Sequence, residues 1–308
     1  MTLPIEDTRS NASDDKDSIT SEESSDHEGS TYSDGPYDPE DTIVLEMPDS
    51  ILERIDLEPL KNLTEQEYTD GHAARFGKSN PEIVDVPFWS AMFAAQEDPR
   101  LLEARSRELD REGEGGGEDE EQVSRTCRRR LPTWTFTKRF GQTMTQLPDG
   151  RLVFIGGEYD DYYDPDFHVY NDVCVYDENS TSLSDANCFV VYCYPRDVFP
   201  PTDSHTATLV PGTSDIYVIG CMGYPDQRRP GETPVYRLDT RDFSMHPVET
   251  SGRSRAGSDG TAIRVWGKKR RSFGSQICVE GDEKQGDIVD FEGEYLLHLE
   301  TGRWSRQA

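Results

Sequence analysis

RFGQTMTQLPDGRLVFIGG, residues 139–157, and its continuation YNDVCVYD, residues 170–177, decide the fold. RLVFIGG is a short β-branched and aromatic run that closes on two glycines. A strand that ends in Gly lets the backbone turn with no Cβ in the way, often close to a neighbour. VCVYD is a second such run and closes on Asp, whose side chain bonds the backbone of a tight turn. Gly, Pro, Asp and Asn punctuate the runs, the pattern of short strands.

Working outward, the unit recurs. Ile155-Gly156-Gly157 has a counterpart in Ile219-Gly220, 64 residues on, and a weaker third copy in Val265-Trp266-Gly267. Tyr176-Asp177 recurs as Leu238-Asp239 and again as Leu299-Glu300, at steps of 62 and 61 residues. Gln142 and His205 stand 63 apart, each just before a Thr-rich strand (TMTQL, TATL). Trp304 follows Glu300 as Phe243 follows Asp239. CFVVYCYP, DIYVIG, TPVYRLD, TAIRVWG and EYLLHLE are further strands, and no amphipathic helical run separates them. That spacing predicts an all-β chain with antiparallel neighbours rather than a βαβ sheet. The stretch 268–291 is charged and reads as irregular. One four-stranded sheet cannot cover both its faces, and stacking copies radially does so, as in a β-propeller.

These residues resemble the kelch repeat: a hydrophobic strand ending Gly-Gly, then Tyr-Asn-Asp-Val-x-Val-Tyr-Asp, then an aromatic. The first copy carries the pattern fully. In the second, Cys221 replaces the second Gly; in the third, Lys268 does. GGEYDDYYDPDF, FPPTDSHTATL and GYPDQRRPGETPVYRLDT are similar to a subgroup of kelch-like proteins in which PFW helices precede the blades. The resemblance covers residues 81–96 and 133–252 well and 253–308 poorly. It implies a propeller of the galactose-oxidase-like superfamily, and most kelch propellers are protein-binding scaffolds, a minority enzymes. The 171 residues from Trp134 to Trp304 amount to about three blades. The expectation is therefore a partial kelch-type propeller, open, with helices packed on it.

The N-terminal part differs in composition. Residues 1–124 hold 34 acids and 10 bases, a balance of −24; residues 125–308 hold 27 acids and 22 bases, a balance of −5. Residues 1–43 have too few apolar groups to offset chain entropy and read as a disordered acidic tail. Residues 44–111 read as short accessory helices. Asp49 or Ser50 can cap one carrying Ile51, Leu52, Ile55 and Leu57. Thr64 and Glu67 have capping-box spacing. Pro87 opens PFWSAMFAAQ, with Phe88, Met92 and Phe93 at helical spacing, and Pro99 opens LLEARSRELDRE. Residues 112–132 form an acidic and then basic linker, with blades over 133–308.

The composition excludes several classes. With no basic face to release phosphate counterions, nucleic acid is not an expected partner. No apolar run nears the ~20 residues that span a bilayer, so no membrane is expected. MTLPIEDTRSNASDD has neither a basic start nor an apolar stretch, so no secretory leader is expected. Six cysteines in 308 residues do not form a disulfide framework. An intracellular, cytoplasmic chain is expected, nuclear if CRRR (127–130) acts as an import signal.

Two loops and one histidine are the candidate binding residues. Glu158–Asp172 gathers Asp160, Asp161, Asp164 and Asp166 around Tyr162 and Tyr163. Its carboxylates suit a hard cation in principle, but without EF-hand spacing; its tyrosines suit a protein contact. The plainer reading is a solvated loop whose acids cap turns. His205, which the resemblance places near the central channel, is a packing residue or a ligand. Arg228 and Arg229 lie at the matching place in the next repeat and can pair with the acidic loop. No catalytic residue, metal site or cofactor is expected: His168, His205, His246 and His298 lack copper spacing, and no phosphate loop, CxxC or HExxH occurs. The expected function is a non-enzymatic module that presents its inter-strand loops to a protein partner. The alternative is an enzyme or small-ligand binder using loop 158–172 and His205. Self-association through uncovered blade edges is a further expectation.

Overall fold

In a computed structural model the structure describes residues 45–71, 73–96, 134–159, 168–180, 188–220, 223–224, 233–251, 270–273, 275–281 and 293–306. Among these the chain is mostly β, with four short helices and several antiparallel sheets, none of them closed. No helix is long and apolar enough to cross a membrane.

The helices come first: α1 (Asp49–Leu52), α2 (Glu58–Lys61), α3 (Glu65–Gly71) and, after strand β1 (Glu82–Val84), α4 (Pro87–Ala95). The capping box before α3 forms as its spacing predicts. Glu67 N–H donates to Thr64 Oγ1 at 3.2 Å, and Thr64 N–H donates to Glu67 Oε2 at 2.8 Å. α1 departs from expectation: its N-cap is Pro48, with no side-chain cap. Ser50 is spent elsewhere, its hydroxyl donating to Glu178. α4 starts with Pro87 in the first turn and stops at Gln96, which takes left-handed φ 48°. The expected helix after Pro99 lies outside the described residues.

The first sheet has the order β1-β7-β6-β3-β2, with β2 (Thr143–Gln146), β3 (Arg151–Ile155), β6 (Val173–Asp177) and β7 (Phe189–Cys193). A two-stranded ribbon, β4 (Glu158–Tyr159) with β5 (His168–Val169), interrupts it between β3 and β6. The second sheet is a meander in the order β11-β10-β9-β8, from β8 (Thr206–Leu209), β9 (Asp215–Ile219), β10 (Val235–Asp239) and β11 (Ser244–Pro247). The third is also a meander, β12 (Arg270–Phe273), β13 (Gln276–Gly281), β14 (Gly293–His298) and β15 (Arg303–Arg306).

The third sheet corrects the sequence reading. The strand standing where β3 and β9 stand is β13, so Gly281, 61 residues after Gly220, takes the place expected of Gly267. The stretch 268–291, expected to be irregular, supplies both β12 and β13. Val265-Trp266-Gly267 itself lies outside the described residues.

Side-chain alternation along each strand sends successive residues to opposite faces, and the faces pack in series. Leu152, Phe154, Cys174, Tyr176 and Phe189 join Phe88, Trp89, Met92 and Phe93 of α4 in one core. Val153, Ile155, Val173 and Val175, one residue out of phase, meet Ile216, Val218, Leu238 and Met245 of the second sheet. On the second sheet's other face, Tyr217, Ile219 and Val235 meet Ile277, Tyr295, Leu297 and Trp304. Phe243 and Trp304 do pack towards the preceding sheet, Phe243 stacking on Tyr192 at 4.4 Å. The helix α4 thus covers the one face of the first sheet that no other sheet covers. At about 1.5–3 kcal/mol per fully buried large apolar side chain, its four contribute on the order of 10 kcal/mol.

Candidate functional site

Strand register gathers the long connections at one end. Thr143, Ile155, Val173 and Tyr192 line up across the first sheet, and Thr206, Ile219 and Val235 across the second. The segments 156–172, 194–205 and 220–234 all leave from those rows. The acidic loop and the arginine-bearing loop therefore rise from the same end of adjacent sheets. Asp160, Asp161, Tyr162, Tyr163, Asp164, Asp166, Arg228 and Arg229 lie outside the described residues; the stems that carry them do not.

The stems are tied to each other. Val169 N–H donates to Tyr224 Oη at 3.0 Å, joining the end of one loop to the start of the other. Gly223 N–H donates to Asp203 Oδ1 at 2.6 Å, and Ser204 Oγ donates to the second oxygen of Asp203. Gly157 N–H donates to Thr202 O at 2.8 Å and Ser204 N–H to Gly141 O at 3.0 Å. These close approaches explain the glycine at 156: its φ is +55°, and a Cβ there would meet Thr202 O at 2.3 Å.

His205 lies inside this joint, 3% exposed. Its Nε2 is 2.9 Å from Thr143 Oγ1 and its Nδ1 is 3.3 Å from Thr202 Oγ1. An imidazole engaged on both nitrogens and almost shut off from water joins the first sheet to the connection that leads into the second.

Between the described stems of the acidic loop sits a charge pair that the residue pattern did not reveal. Arg139 is fully buried and forks onto Asp172 through two bonds, Nη1 to Oδ1 at 2.6 Å and Nη2 to Oδ2 at 3.0 Å. Its Nε donates to Thr135 O and its Nη1 to Gly156 O; Trp134 Nε1 donates to Asp172 Oδ2. The guanidinium lies over the Tyr170 ring at 3.7 Å. Burial alone would lower the Arg139 pKa, yet the Asp172 charge and hydrogen bonds raise it, so the guanidinium stays protonated. Asp172, counted among the loop's acids in the sequence, is therefore spent inside the fold. Burial raises the Tyr170 pKa, and burial followed by the Arg139 charge lowers His168 to about 4.

What remains for recognition at this end is surface. Arg196 is exposed and stands over Phe76 at 4.8 Å and near Tyr224 at 5.9 Å. Among the described residues no three His, Cys, Asp or Glu side chains gather to hold a metal ion. The local chemistry is that of a platform in which Arg139, Asp172 and His205 are bonded inside the fold and whose rim offers an aromatic, a tyrosine and a cation.

No protein-family model matches the chain. No curated protein matches it either.

Proposed function

We propose that the chain is an open, kelch-like β-propeller of about three blades that serves as a protein-binding module, its contact surface being the loop end of the first two sheets. Two four-stranded meanders, and a first sheet in which β2, β3, β6 and β7 run in the same hairpin order with β1 added, pack face on face and support the propeller reading. The observation that carries the binding reading is the Val169–Tyr224 bond, which holds the stems of two long loops as one unit. Loops held on a rigid scaffold are where recognition concentrates. Phe76, Arg196 and Tyr224 are of the residue types that anchor interfaces.

The test is site-specific photocrosslinking in the full chain. A photoreactive residue at Arg196 is expected to trap a discrete protein partner. The same residue at Thr213, in the exposed turn at the opposite end of the second sheet, is expected to trap none. Equal trapping from both positions, or none from Arg196, would sink the reading.

A further inference from the structure

An open stack of sheets leaves outer strands whose outward N–H and C=O groups invite another strand. The second sheet ends in β8 on one side and β11 on the other. Val248 N–H donates to Val235 O, which puts the pairs Arg237–His246 and Asp239–Ser244 in the hydrogen-bonded class. The alternate residues, Met245 and Pro247, then turn their backbone groups outward.

Each outward group with a described partner is met by a side chain or is missing by nature. Asn80 Nδ2 donates to Met245 O at 2.7 Å, and Met245 N–H donates to Asn80 Oδ1 at 2.8 Å. One amide thus reproduces both bonds that a neighbouring strand would make, from 165 residues away in sequence. Just before the strand, Tyr194 Oη donates to Phe243 O at 2.7 Å. Pro247 has no N–H to offer. The neighbouring sheets are handled in kindred ways. β1 lies along β7 in the first. In the third, Ser251 N–H donates to Gly302 O and accepts from Trp304 N–H beside β15.

We propose that Asn80 is an edge guard: its side-chain amide stands in for a strand beside β11 and keeps a second copy of this chain from adding there. The segment before α4 then has two tasks, covering an edge and carrying the helix that covers a face.

Two variants of the full chain test this. Asn80→Ala bares both groups of Met245. Asn80→Asp keeps an acceptor for the N–H and places a charge at the edge, which itself deters strand addition. Sedimentation across a concentration series is expected to show Asn80→Ala forming dimers or larger species that wild type does not form, while Asn80→Asp matches wild type. Amide exchange at Met245 is expected to quicken roughly tenfold or more in dilute Asn80→Ala, with Ile219 unchanged. Association of both variants would mean that the segment has merely come loose. Association of neither, or of Asn80→Asp alone, equally overturns the proposal.

Discussion

Arg139 and Asp172 meet through two parallel hydrogen bonds in a pocket closed to water, capped by Trp134 and floored by Tyr170. Removing one partner leaves the other charged and unpaired, which costs about 3–5 kcal/mol in a buried site. Asp172→Asn should therefore lower the unfolding free energy measured by denaturant titration by that amount. Arg139→Met with Asp172→Leu should recover much of it, because the stranded charge is the costly element. Equal losses from the single and double variants would show that the pair's value lies in its geometry.

His168 makes stability depend on pH. Its folded pKa is about 4, lowered by burial and then by Arg139, against ~6.5 in an unfolded chain. Between those values the unfolded state binds more protons, so stability rises with pH through the window and is lost as pH falls from ~6.5 towards 4. The full shift corresponds to at most about 3 kcal/mol. Nuclear magnetic resonance should show the His168 ring titrating near 4, and His168→Gln should flatten this part of the pH–stability curve.

Gly156 turns where the 194–205 connection comes closest. Gly156→Ala should destabilise by more than about 2 kcal/mol, combining left-handed strain with the clash on Thr202 O. Gly212→Ala is the contrast: its φ is +77°, but nothing lies within 4 Å of its Cβ position, so strain alone acts. Thermal unfolding of the two variants separates the contributions.

Phe93 stacks on Phe189 at 3.9 Å and meets Phe136 edge-on. Phe93→Ala should cost about 3–5 kcal/mol, as deletion of a buried aromatic does. Residues 134–308 expressed without the helices should be poorly soluble, since Phe154, Tyr176 and Phe189 lose their cover. A soluble, cooperative fragment would show that α4 is dispensable.

The repeat was legible because its signals are local. A strand that must turn at Gly156 or Gly220 writes the glycine into the chain, and Thr64 with Glu67 writes a helix start within four residues. The third copy misled because an aliphatic run before Gly occurs twice there, at Val265-Trp266-Gly267 and again before Gly281. Strand order, not residue type, marks β13 as the counterpart of β3. Asp172 read as one more acid in an acidic loop, since its partner lies 33 residues back. Nothing near Asn80 points to Met245.

The amino-acid sequence by itself determined the strands of the first two sheets, their turns and the antiparallel class, because alternation and turn chemistry act over a few neighbouring residues. Tertiary structure alone decided which face met which, that α4 covers the first sheet, that His205 is a bridge, and that Asn80 closes an edge. Those outcomes depend on excluded water and on bonds between groups far apart in the chain, and such partners become neighbours only once the sheets have packed.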